Sequence, residues 1–189
     1  MKILLVEDMA GFARPIRDEL QSHGYEVTWI IGAARIEQDR IVGIVASANV
    51  DGLEQDQWNG EPERLIDVPI ASIDFALLDG DVIGPIAKGE EFAKHLTARG
   101  IRWISITGGG AGAEVMAQAG CIASIAKQFV ILSVRKEALV PERVISRRSV
   151  SRIATSLQHF NQQMKQDYCA ARAEHRGFTT GFPILDRAA

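Results

Sequence analysis

The 189 residues are 47% hydrophobic and 24% charged with a net charge of −3, an ordinary balance for a chain that buries one good core and carries an appendage. That charge gives no general pull toward nucleic acid or an anionic membrane. Cys121 and Cys169 form no CxxC pair, the opening apolar run is too short for a signal peptide, and no stretch approaches the roughly 20 apolar residues of a membrane span, so a cytoplasmic protein is expected.

Lys2–Val6 is a short apolar run that reads as a buried strand and stops at two adjacent acids, Glu7 and Asp8. A helix follows over Phe12–Ser22, with Phe12, Ile16 and Leu20 on one face and Gly24 as its stop; Pro15 is expected in its first turn. Further apolar runs at Glu26–Ile31, Phe75–Leu78, Arg102–Ile106 and Ile122–Ala126 alternate with helical segments at Glu90–Arg99 and Glu114–Ala119. Parallel strands need such crossovers, so the pattern predicts an α/β fold with a doubly wound, five-stranded parallel sheet.

Between Ile31 and Asp74 the alternation breaks. Arg35–Glu37 and Arg40–Val45 flank Gln38-Asp39 and read as a β-hairpin; Asp51–Asp67 then carries six acids against one Arg and reads as an acidic loop. An insertion over about 32–70 is therefore expected, either a solvated excursion or a surface for a partner. Its acids miss the calcium-loop pattern, since Leu53 and Gln55 stand at positions three and five.

The tail, 136–189, is expected to be helical with an irregular terminus. Val150, Ile153, Leu157, Phe160 and Met164 advance by 3, 4, 3 and 4, a stripe suited either to packing on the domain or to a homodimer through this C-terminal helix. Arg143, Arg147, Arg148 and Arg152 lie near its start, but a helix-turn-helix needs a second helix at a tight turn, so no nucleic-acid output is expected.

In an open parallel sheet, ligands gather beyond the carboxyl ends of the strands. The residues there are Glu7 and Asp8, then Asp79 and Asp81, then Thr107, then Lys127. Crowded carboxylates raise one another's pKa unless a cation neutralises them, and Mg2+ takes oxygen ligands of this kind. Lys127 and the Thr107 hydroxyl suit phosphoryl oxygens, so the chemistry that fits is phosphoryl transfer to a carboxylate.

In this order the motifs KILLVED, FALLD, WISITG and AGCIASIAKQF resemble the receiver domain of two-component response regulators, over roughly residues 1–135 outside the insertion. The resemblance implies a CheY-like, flavodoxin-like fold and a phosphoacceptor signalling protein that is not an enzyme in its own right. It further implies Asp79 as the phosphorylated residue, with Glu7, Asp8, Asp79 and the Asp81 carbonyl holding Mg2+ and Thr107 and Lys127 gripping the phosphoryl group. A histidine kinase or histidine phosphotransfer protein would be the donor and a downstream protein the output partner. The chain departs from the family pattern in the insertion, in the loop GDVIGPIAKG after Asp79, at Gln128 where proline is usual, and at Ser124 where an aromatic switch residue is common.

Two other functions fit parts of the sequence. A degenerate receiver would serve as an interaction module without phosphorylation. A nucleotide-binding, Rossmann-like enzyme is suggested by Gly108-Gly109-Gly110-Ala111-Gly112-Ala113, although a dinucleotide site expects its glycines after the first strand, which here ends in acids.

Overall fold

The computed structural model describes residues 1–45, 65–86, 88–107, 111–145 and 150–173. Five parallel strands form the central sheet: β1 (Lys2–Val6), β2 (Glu26–Ile30), β6 (Phe75–Leu78), β7 (Arg102–Thr107) and β8 (Ser124–Ala126). Their order is β2-β1-β6-β7-β8, the 2-1-3-4-5 order of a flavodoxin-like doubly wound sheet. The fold is thus the α/β architecture that the apolar runs predict.

Side chains alternate along each strand and divide the core in two. Ile3, Leu5, Phe75, Leu77, Ile104, Ile106 and Ile125 face α1 (Ala10–Ser22), α4 (Val130–Arg135) and α6 (Val150–Ala173). Leu4, Val6, Ile30, Ala76, Leu78 and Trp103 face the other way, toward α2 (Gly89–Ala98) and α3 (Ala111–Gln118), whose Phe92, Leu96 and Met116 are fully buried there. Helix α1 stops at Gly24, whose φ of 85° lets the Tyr25 amide reach back to the Leu20 carbonyl at 3.2 Å and the Gly24 amide to Gln21 at 2.9 Å. Pro15 is the sixth residue of α1, not part of its first turn, because the helix opens at Ala10 after Met9. Its missing N–H therefore leaves the Gly11 carbonyl without its intrahelical partner.

The inserted hairpin is present as β3 (Gly32–Ile36) and β4 (Arg40–Ile44), and it gains a third antiparallel strand, β5 (Leu65–Pro69). Leu65–Asp67 thus belong to a strand where the acidic composition predicts loop. The ladder to β4, from Arg40↔Pro69 to Ile44↔Leu65, supplies what the sequence does not advertise, since only Val68 of β5 is fully buried. The rest of the acidic segment, 51–64, lies outside the described residues, as do Arg147, Arg148 and the terminus from 174. Ala33, Ile41, Val68 and Ile70 join the second core, so a small sheet covers the face that a crossover helix between β2 and β6 would otherwise cover.

After β8 the chain turns through α4 and α5 (Pro141–Ile145), helices too short for periodicity to reveal, before α6. Leu157 and Met164 are buried in the first core, with Phe160 and Tyr168 packed against it. This part of the stripe packs on its own domain; the side chains of Val150, Ile153 and Arg152 lie outside the description. Asn161 accepts a hydrogen bond from the Ala126 amide at 3.1 Å, which ties α6 to β8. Among the described residues no helix is long and apolar enough to cross a membrane.

Candidate functional site

Strands β1 and β6 lie side by side at the centre of the sheet, paired from Ile3↔Phe75 to Val6↔Leu78. They end level, so the residues after them, Glu7 and Asp79, emerge together at the carboxyl rim. The Asp79 amide donates to the Val6 carbonyl at 2.9 Å, and the Glu7 amide to the Ile30 carbonyl at 3.1 Å. Carboxylate oxygens of Glu7, Asp8 and Asp79 all lie within 4.8 Å of one another. The sequence spacing therefore brings these three acids into one cluster.

Lys127, in the turn directly after β8, crosses to this cluster. Its ammonium donates to Glu7 Oε1 at 2.9 Å and to Asp79 Oδ2 at 2.6 Å. The side chains are 9%, 0% and 8% exposed for Lys127, Glu7 and Asp79, so one ammonium and two carboxyls are held out of water, and the ammonium balances the charge of only one of the two acids. The Phe12 ring lies 5.8 Å from the ammonium and closes one side. Asp79 Oδ1 accepts from the Gly80 amide at 2.7 Å, and Glu7 Oε1 from the Met9 amide at 3.0 Å. Glu7 Oε2 is buried with no hydrogen-bond partner. An orphaned carboxylate oxygen with two further acids beside it is a donor set that fits a hard divalent cation.

Thr107 closes β7, next to β6 in the sheet, and is 6% exposed; it shares the rim with the cluster. Asp81 does not join the carboxylates. Its side chain is 78% exposed and paired with Lys88.

Two contributors carry no recognisable sequence signal. The Trp29 indole on β2 donates to the Glu7 carbonyl at 2.7 Å, with the Arg17 guanidinium 5.7 Å from its ring, and so fixes the backbone from which Glu7 and Asp8 project. A lone tryptophan in an edge strand reads as core, so only its position level with the acids hints at this role. The second is the contact between the inserted sheet and the loop after Asp79, where Gly32 is bridged to Ile83 and Ala33 to Ile86.

Burial, reinforced by the Asp79 charge, pushes the Glu7 carboxyl up to about 8, although Lys127 pulls it down. Burial likewise raises Asp79 against the opposing pull of Lys127. For Lys127 burial works to lower the pKa, but the Glu7 and Asp79 carboxylates outweigh it and the result is upward. Since the Glu7 carboxyl holds its proton to higher pH in the fold than at its ordinary 4.5, the stability this confers is complete below about 4.5 and drains as pH climbs toward about 8. In chelator, the melting temperature is expected to fall across that window, and added Mg2+ to recover more of it at the upper end. Differential scanning fluorimetry checks this; Glu7→Gln, which cannot ionise, should flatten the profile, and an equally steep Gln profile would contradict the assignment.

The glycine-rich segment offers little to a nucleotide. Gly108, Gly109 and Gly110 lie outside the described residues, and they follow the fourth strand of the sheet rather than the first.

No family model matches the chain, and no curated protein matches it. Solved structures do. The non-phosphorylated HemR receiver domain from Leptospira biflexa is 21% identical, covering 77% of this chain and 94% of that one, with a TM-score of 0.45. A CheY-like response regulator receiver domain from Methanospirillum hungatei is 18% identical, covering 72% of this chain and 91% of that one, with a TM-score of 0.42. A response regulator from Burkholderia pseudomallei, described with a phosphorylated aspartic acid, a calcium ion and citrate, is 13% identical, covering 99% of this chain and 91% of that one, with a TM-score of 0.47.

Proposed function

We propose that this chain is a response-regulator receiver that accepts a phosphoryl group on Asp79 and uses the change to control a protein–protein interaction. The observation that carries the reading is the Lys127 ammonium bridging Glu7 and Asp79 beside Asp8, at the middle of the carboxyl rim of a 2-1-3-4-5 sheet.

An Asp79 carboxylate oxygen attacks the phosphorus of a phosphohistidine on a histidine kinase or phosphotransfer protein. The P–N bond breaks, the imidazole leaves and takes up a proton, and Asp79 becomes an acyl phosphate. Glu7, Asp8 and the Asp81 carbonyl would hold Mg2+ beside it. Bound there, Mg2+ neutralises charge on the phosphoryl oxygens. Lys127 already reaches Asp79 Oδ2 and passes to a phosphoryl oxygen once one is present, while the Thr107 hydroxyl donates to another. The added charge draws both residues toward Asp79 and biases the loops behind them, which is the switch. In this reading the protein is a phosphoacceptor of the cytoplasm, and its outputs run through the insertion or the helical tail.

The test is incubation with acetyl phosphate, with Mg2+ or with chelator, followed by intact-mass spectrometry. One covalent phosphoryl group that appears only with Mg2+ is expected. A folded protein that stays unlabelled would replace the phosphoacceptor with a constitutive interaction module.

A further inference from the structure

The loop between β6 and α2 is gripped at its neck and at its middle. At the neck the Gly89 amide donates to the Gly80 carbonyl at 2.9 Å, and a Cβ on Gly89 would fall 1.9 Å from the Asp79 carbonyl oxygen. At the middle the grip comes from the start of the inserted sheet and the residue before it. The Ile83 amide donates to the Ile31 carbonyl at 3.2 Å and the Ile86 amide to the Ala33 carbonyl at 3.1 Å, with Gly32 bridged to Ile83 and Ala33 to Ile86. The approach is so close that a Cβ on Gly32 would lie 1.7 Å from the Ile83 carbonyl oxygen. Gly84, at a φ of 107°, leaves only 2.7 Å between its own Cβ position and Ile44 of β4. Asp81 lies between the two grips.

From these contacts we infer that the inserted sheet is a working part of the site, with Gly32 and Ala33 as positioning residues that set where the Asp81 carbonyl meets the cation. The inference rests on the receiver reading. Two hydrogen bonds and a glycine contact with no slack join loop and sheet, and Ile41 and Val68 root that sheet in the second core. Asp81 is bridged to Lys88 and stands two residues from Ile83, so a shift of its carbonyl pulls on the contacts that Ile83 makes with β3. Linkage makes the coupling reciprocal: a cation that fixes the loop must also steady β3, and whatever displaces β3 must weaken the cation's hold. An excursion that merely shielded apolar surface would carry no such coupling.

Gly43 supplies the control. A Cβ there would also be crowded, at 2.6 Å from the Ile30 Cγ2, but against a side chain of β2 rather than the loop. Mg2+ affinity is measured by calorimetry on wild type, Gly32→Ala and Gly43→Ala, and hydrogen exchange of the wild type is followed over residues 31–44 and 81–86 with and without Mg2+. Gly32→Ala should weaken Mg2+ binding by about tenfold or more, the scale seen when groups that orient metal ligands are altered. Gly43→Ala should lose melting temperature yet keep its affinity within about twofold. In the wild type Mg2+ should slow exchange in β3 as well as in the loop. Exchange in β3 that ignores bound Mg2+ overturns the inference, as does an equal affinity loss in the two variants. Should Gly32→Ala not fold, the wild-type exchange decides alone. A folded wild type that binds no Mg2+ overturns the receiver reading itself, and this inference with it.

Discussion

An Asp79→Asn protein should take up no covalent phosphate from acetyl phosphate at any Mg2+ concentration, while folding as the wild type does. Of the three clustered acids, Asp79 alone follows the central strand β6, with β1 and β7 on either side, and has one carboxylate oxygen on Lys127 and the other on the Gly80 amide. An amide is not a nucleophile for phosphorus, so the label is lost outright. Stability is expected to hold because the side chain keeps its size, and one negative charge leaves a cluster where burial and mutual repulsion already oppose ionisation. Intact mass and a thermal melt on the same sample separate the two effects. Phosphate on the Asn variant would move the acceptor to Asp8 or Glu7.

Lys127→Met should be the most destabilising single change at the rim. It removes the ammonium that donates to Asp79 Oδ2 and one of the two donors to Glu7 Oε1, at side chains 8% and 0% exposed, and takes the counter-charge from the buried carboxylates. Breaking a buried pair from one side costs about 3–5 kcal/mol. The acids can relieve part of that by taking up protons, so the loss should shrink as pH falls. A cation replaces the missing ammonium, so Mg2+ should recover more stability in the variant than in the wild type. Urea unfolding at two pH values, with chelator and with Mg2+, reads all three trends. A loss under about 1 kcal/mol at neutral pH would mean that the pair behaves as a solvent-screened one.

The rim was legible because strands buried on both faces leave an unbroken apolar signature that ends where the sheet ends. Lys2–Val6 and Phe75–Leu78 match β1 and β6 to the residue, so the residues after them, Glu7 and Asp79, are assigned to the carboxyl rim by sequence alone. Where a strand is held by its neighbours rather than by its own apolar content, the signature fails. Strand β5 buries only Val68, and its acids disguise the ladder to β4. Helices α4 and α5 fall below the length at which a 3.6-residue period can be recognised. In the site, spacing identifies charged groups but not the direction of a side chain, so the turn of Asp81 toward Lys88 and the Trp29 bond to the Glu7 carbonyl came only from three dimensions.

Helix α6 has a further meaning for the margin of the sheet. Strand β8 is three residues long and has β7 on one side only, so its outer backbone groups are those that would otherwise invite a foreign strand. Asn161 takes up the Ala126 amide there, while Leu157 and Met164 fill the apolar ground behind it. A chain shortened to end after α4 would carry an open template for intermolecular pairing beside a bare apolar strip. The tail thus shields this margin of the sheet from aggregation, on the side where the chain passes from β8 into Lys127.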